Sequence, residues 1–254
     1  ARFTEIGLFN YRQIFSDDLL NGWATISNSF WLTFRYALMC IPIGLTLSFF
    51  LALLLNSAVK GIKVFRILYY LPVLIPGLAM SIIYADMFDY PGGIINQIVV
   101  SLGGKAVPFF EDPGIIMPWY MVAGFFGLGG NMIMWLAALA NVPKQLIEAA
   151  KIDGARGIRV LFSVIIPMCT PIIFYNLINS VITSLQIFDT YASLGVGPEE
   201  SMYFIVILIY RVGFESYQMG FACAVAWMLF VVIALLTLVM FKTQKWVVYL
   251  DEES

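Results

Sequence analysis

Five apolar runs, each near the length needed to cross a bilayer, constrain this chain more than any other feature. They cover about 29–55, 67–88, 116–141, 162–188 and 219–241, against the roughly 20 residues that span about 30 Å of hydrocarbon. Strands of a membrane barrel would alternate apolar and polar residues over short segments, whereas these runs are long and of helical length. Composition agrees: 61% of the 254 residues are hydrophobic and 12% are charged, more apolar surface than one soluble core of this size buries. A soluble globular enzyme is excluded. The expected fold is an all-α, polytopic helical membrane bundle with five visible spans. A sixth apolar piece, 203–210, is too short to cross, is followed by Arg211, and reads as a helix lying at the interface.

The few charges orient the bundle. Lys60, Lys63 and Arg66 follow the first run; Lys144, Lys151, Arg156 and Arg159 follow the third; Lys242 and Lys245 follow the fifth. The positive-inside rule makes these three regions cytoplasmic. The remaining connectors carry Lys105 and Arg211 among Asp86, Asp89, Glu111, Asp112, Asp189, Glu199, Glu200 and Glu215, so they face outward. The C-terminus is then cytoplasmic, and 1–28 is an extracytoplasmic segment preceding the transmembrane domain at 29–254. The chain opens on Ala1 with no signal-peptide pattern, so a further span upstream is expected.

Several chemistries are absent from the sequence. There is no histidine, and Cys40, Cys169 and Cys223 stand singly in apolar runs, so neither a histidine base nor a metal cluster is indicated. No phosphate-binding Gly-x-x-x-x-Gly-Lys-Ser/Thr pattern occurs, and Gly103-Gly104-Lys105-Ala106 lacks the hydroxyl that would hold magnesium. The chain is expected to be no enzyme, to hold no cofactor and to bind no nucleic acid; any ATP is handled elsewhere.

The connector at about 142–161 is the most informative. Pro143 suits the start of a short helix, Glu148-Ala149-Ala150 continue it, and Gly154 supplies a break before a second short helix. Pro167 falls in the opening turns of the next span. A basic connector is often only a solvated link. Here Ala149, Ala150, Gly154 and Ala155 leave small side chains that suit close contact with another surface.

Glu148-Ala149-Ala150, then Gly154 after three intervening residues and Val164-Ile165-Ile166-Pro167 after nine more, resemble the EAA signature of permease subunits of bacterial ABC importers. The family pattern ends in Ile-x-Leu-Pro, from which Val164 and Ile166 depart conservatively. Asp153-Gly154-Ala155 has the form of the carbohydrate-uptake branch that includes maltose and glycerol-phosphate permeases. Phe65-Arg66, Leu71-Pro72, Pro76, Gly93, Asn96 and Gly197-Pro198 extend the resemblance over nearly the whole chain. It implies the type I importer permease fold, called MetI-like, in a bacterial cytoplasmic (inner) membrane. It also implies a second, different permease, two ATPase subunits that bind ATP and magnesium, an extracytoplasmic solute-binding protein and a sugar substrate. The loop would be a coupling helix seated in a groove of the ATPase, with Glu148 facing a basic residue there. Ala149 and Ala150 would pack in that groove, Asp153 would belong to the same element, and Gly154 would permit the turn.

Polar residues within a span are suspects for the substrate path. The fourth run carries Asn176, Asn179, Ser180, Thr183, Ser184 and Gln186, mostly on one side at spacings of three and four. Such residues also serve as hydrogen-bonding glue between helices, but six in eleven positions favour a path. In the third run Gly124, Gly127, Gly129, Gly130 and Asn131 invite either a broken helix at a binding site or plain close packing. In maltose-permease-like relatives the sugar contacts align with Ser180 and Ser184 and lie near Phe126, Gly127 and Gly130. Phe126, Tyr175 and Phe188 suit sugar stacking and ordinary packing equally. No Arg or Lys lies at mid-span, Arg35 being near the outer end of the first, which favours a neutral polyhydroxylated solute. The outer segments 89–115 and 189–218 are candidates for contact with the binding protein. The rival reading, a self-sufficient secondary transporter or channel, expects a mid-span carboxylate; Asp86 and Asp189 lie toward outer ends.

Overall fold

The computed structural model describes residues 8–15, 23–56 and 60–248, and every regular element among them is helical. Of the N-terminal segment, 1–7 and 16–22 lie outside the described residues, as does the tail from 249 onward. In chain order the helices are α1 (Phe9–Ile14), α2 (Trp23–Leu55), α3 (Ile62–Tyr70), α4 (Gly77–Met87), α5 (Ile94–Ser101), α6 (Ile116–Gly124) and α7 (Gly129–Ala140). They continue as α8 (Lys144–Ile152), α9 (Ile158–Val160), α10 (Ile166–Met168), α11 (Thr170–Leu185), α12 (Tyr191–Leu194), α13 (Ile205–Tyr210) and α14 (Met219–Lys242).

Among the described residues only α2 and α14 are single helices long and apolar enough to cross a membrane. The other three apolar runs fold as broken pairs, and the sequence at each break explains it. Between α3 and α4 the chain forms a tight turn over Leu71–Leu74 and carries Pro72 and Pro76, which cannot donate a helical hydrogen bond. Between α6 and α7 lies a second tight turn, Phe125–Gly127, inside the glycine cluster. The fourth run starts earlier than expected, at Ile158, widens into a π turn over Leu161–Ile165, and bends by 69° between α10 and α11. Pro171, one residue into α11, denies the donor that would have continued the helix through Cys169.

The contacts gather into two units. The first comprises Ala1–Cys40, Ile75–Gly124 and Ile182–Leu235. Its centre is the segment expected at the interface: Met202, Phe204, Ile205 and Ile207 are fully buried. A helix apolar all round belongs inside a protein, and 203–210 has no polar face to leave outside. The buried N-terminus of α13 needs an acceptor for its first N–H, and Thr33 of α2 provides it: Ile205 N donates to Thr33 Oγ1 at 3.0 Å. The same hydroxyl donates to the Ser29 carbonyl at 2.7 Å. In the connector between α4 and α6 Asn96 is fully buried and bonds the Asp89 and Val107 carbonyls (2.8 and 3.0 Å) and the Val107 N–H (2.8 Å). Gly93 allows that loop to close, since a Cβ there would lie 2.6 Å from both Asp89 N and the Met87 carbonyl.

The second unit comprises Ile41–Leu74, Phe125–Val181 and Leu236–Ser254. Its core packs Ala52, Leu55, Met132, Trp135, Leu139, Val142 and Cys169. Trp135 Nε1 donates to Ser48 Oγ at 3.0 Å, which satisfies the one polar atom of that indole. Arg66 donates twice to the Leu55 carbonyl, at 3.1 Å from Nε and 2.6 Å from Nη2, and so caps the C-terminal end of α2. The two tight turns pack on each other: Gly129 lies so close to the Tyr69 carbonyl that any Cβ would collide with it, and Gly130 faces Val73. The glycines therefore serve both expectations, a broken helix and a close approach.

Replacing Thr33 by Val keeps the shape and removes the acceptor. The orphaned buried N–H of Ile205 should cost about 1–3 kcal/mol, read as a lowered thermal midpoint in detergent, while Thr33→Ser stays near the wild type.

Candidate functional site

The connector after α7 is built by local chemistry. Pro143 takes the position just before α8 rather than its first residue, with φ −61° and ψ 123°. At the other end Gly154 adopts φ +82°, a left-handed conformation that favours glycine. Gly154 N bonds the Lys151 carbonyl at 3.1 Å and Ala155 N the Ala150 carbonyl at 2.9 Å, the paired closure of a helix that ends on glycine. This is the sharp turn expected at Gly154. Ala155 is buried behind it, whereas Glu148, Ala149, Asp153 and Gly154 are exposed and Ala150 is half-buried.

The same loop displays apolar side chains that residue spacing did not single out. Ile152 is 86% and Ile158 75% exposed, with Leu146 also exposed on α8. These large aliphatic side chains stand open on an otherwise charged connector. The signal was present in the sequence, as Ile152 sits between Lys151 and Asp153.

The polar residues of α11 divide into two lines. Tyr175, Asn179, Thr183 and Gln186 are exposed at steps of four, four and three, so they share a face. The neighbouring line turns inward: Asn176 is 1% exposed, Ser180 is half-buried and Ser184 is buried. Asn176 Nδ2 has no hydrogen-bond partner. Of the third-span candidates Phe126 and Gly127 are exposed, and Gly130 and Asn131 are half-buried. Phe126, Gly127, Gly130, Asn131, Asn176, Asn179 and Ser180 belong to the second unit, Thr183 and Ser184 to the first. Phe188 packs against Tyr191 and Tyr210 at ring separations of 5.8 and 5.2 Å, so it serves packing.

In the segment 189–218, the Tyr191 hydroxyl donates to Glu215 Oε1, and Arg211 Nε reaches Glu215 Oε2 at 3.2 Å. The tyrosine hydrogen bond, followed by the arginine, lowers the Glu215 carboxyl below its usual range. Burial and that hydrogen bond push the Tyr191 phenol up to about 12. A lowered carboxylate adds stability above its unfolded pKa, and that stability is lost as pH falls through the folded value.

Comparison with known proteins places this geometry in a family. Residues 28–248 match the family described as "Binding-protein-dependent transport system inner membrane component". The chain is 32% identical over 255 residues to the probable ABC transporter permease protein YesP of Bacillus subtilis (strain 168), covering 98% of this chain and 81% of that protein. It is 28% identical over 250 residues to the multiple sugar-binding transport system permease protein MsmF of Streptococcus mutans serotype c, covering 96% and 82%. In fold it is similar to a chain of the crystal structure of a bacterial ABC transporter involved in the import of the acidic polysaccharide alginate. There the TM-score is 0.81 at 19% identity, over 98% of this chain and 86% of that one. The broken-span helical bundle and its exposed helix–glycine connector are thus those of a transport permease, and the chain belongs to the family of binding-protein-dependent transport system inner membrane components.

Proposed function

We propose that this chain forms half of the translocation path of an ATP-driven sugar importer and receives the power stroke through the connector centred on Glu148. The observation that carries this reading is the exposed α8 ending on the left-handed Gly154, with the EAA pattern on its surface. A short helix held at both ends is a lever that an ATPase groove can grip. Glu148 offers it a charge, Ala149 and Ala150 offer close approach, and Ile152 and Ile158 offer apolar area. Closure of two ATPase subunits on ATP would move this lever and rock the permease and a second, different permease between inward and outward states.

The orientation follows the charges, with 142–161 and the C-terminal end on the cytoplasmic side and 89–115 and 189–218 toward a solute-binding protein. The exposed line Asn179, Thr183 and Gln186 supplies hydrogen-bonding groups suited to hydroxyls, and the absence of a mid-span cation suits a neutral sugar. MsmF, a relative named for multiple sugars, supports the same class.

Glu148→Lys should abolish most ATP-dependent uptake and weaken co-purification of the ATPase while leaving membrane insertion intact; unchanged uptake with unchanged co-purification would refute the coupling role. Asn179→Leu should raise the apparent KM for uptake several-fold with ATPase co-purification unaltered, whereas Ile152→Asp should do the reverse. Uptake that persists without any ATPase would mark a self-sufficient transporter instead.

A further inference from the structure

The bend in the fourth span leaves a groove on the second unit. Leu161 and Phe162 line it from the arm before the bend, Ile173 from the arm after it, Leu45 and Phe49 from α2, and Trp135 from α7. The cavity measures about 270 Å³. Apart from Thr46, its side chains are apolar, and the one polar atom of Trp135 is already bonded to Ser48. An apolar hollow of this kind does not hold water, and left empty in hydrocarbon it forfeits dispersion contacts along its whole lining. An acyl chain, slender, unbranched and apolar, matches such a lining.

The arm that lines the groove also carries unpaired charge. Arg159 lies three residues before Phe162, one turn nearer the connector, and Arg156 lies just beyond it. Both side chains are exposed, and among the described residues neither guanidinium makes a hydrogen bond or an ion pair. Basic residues at the edge of a gap between spans are suited to a lipid phosphate.

We propose that this groove binds one acyl chain of an anionic phospholipid of the inner leaflet, with its phosphate held by Arg159 and Arg156. The inference rests on the orientation proposed above, which puts these arginines at the cytoplasmic surface. The bound chain fills the elbow of the span that leads out of the coupling connector, so the lipid stiffens the joint through which the lever acts.

The test places the protein, in its native assembly, in nanodiscs of phosphatidylglycerol or phosphatidylcholine. It is then transferred to detergent, and retained lipid is counted by native mass spectrometry. The expected result is one phosphatidylglycerol per chain and little phosphatidylcholine. Leu45→Trp, whose indole fills the groove, should lose it, and Arg159→Gln should retain it about five-fold less well. Equal retention of both lipids, or retention by Leu45→Trp as by the wild type, overturns the proposal. So does recovery of no lipid from the wild type. Should Leu45→Trp not fold, phosphatidylglycerol with brominated chains should quench a part of the wild-type tryptophan emission that Trp135→Phe lacks; an identical quench in both overturns the proposal. None of these readouts requires transport, so their failure leaves the importer reading standing, and failure of uptake leaves the lipid site standing.

Discussion

A backbone that leaves its helix inside hydrocarbon must find cover for its polar groups, and this constraint shapes the second unit more than any other. Two spans break there, at Leu71–Leu74 and Phe125–Gly127, and the breaks are laid against each other. The contact is possible because position 129 has no side chain: the Tyr69 carbonyl sits where any Cβ would be. Irregular backbone at membrane depth is tolerated only against protein or a water-filled cavity, so each turn is partly the other's cover. The glycine cluster and the prolines at 72 and 76 lie at these two breaks.

The first unit solves the same problem by a different route. Its short, largely buried α13 begins with a backbone N–H that has no partner within its own helix, and a hydroxyl from a distant span accepts it. Thr33 in turn donates its own hydrogen bond to the Ser29 carbonyl. Asn96 does comparable work in the connector between α4 and α6 by bonding three backbone groups at once. The Trp135–Ser48 bond joins two helix interiors, whereas the bonds of Thr33, Asn96 and Arg66 sit where a helix ends or a loop must close.

The connector after α7 is legible in sequence because its structure is local. A helix of nine residues, a glycine at the position that needs positive φ, and two backbone bonds across the turn depend on neighbours within six residues. The same holds for the membrane class and the charge pattern, which depend on composition along a run rather than on partners. Most of the run boundaries lie within a few residues of the helices, but α2, α3 and the fourth span begin earlier than the runs, at Trp23, Ile62 and Ile158. The path candidates were less legible. A stripe of six polar residues on α11 reads as one face, yet a difference of one position puts Asn179 and Thr183 outward and Asn176 and Ser184 inward.

The sequence by itself determined the solvent, the five apolar runs, the placement of charge and the turn at Gly154, because each rests on transfer energies or backbone preferences that neighbours in the chain set. Only the tertiary structure decided where three of the spans break, that 203–210 is buried within the protein rather than laid along the interface, which side of α11 is open, and that the fourth span's bend leaves an apolar groove. Those outcomes depend on what a distant helix offers: a carbonyl at Tyr69, a hydroxyl at Thr33, or the side of α2 that faces the bend.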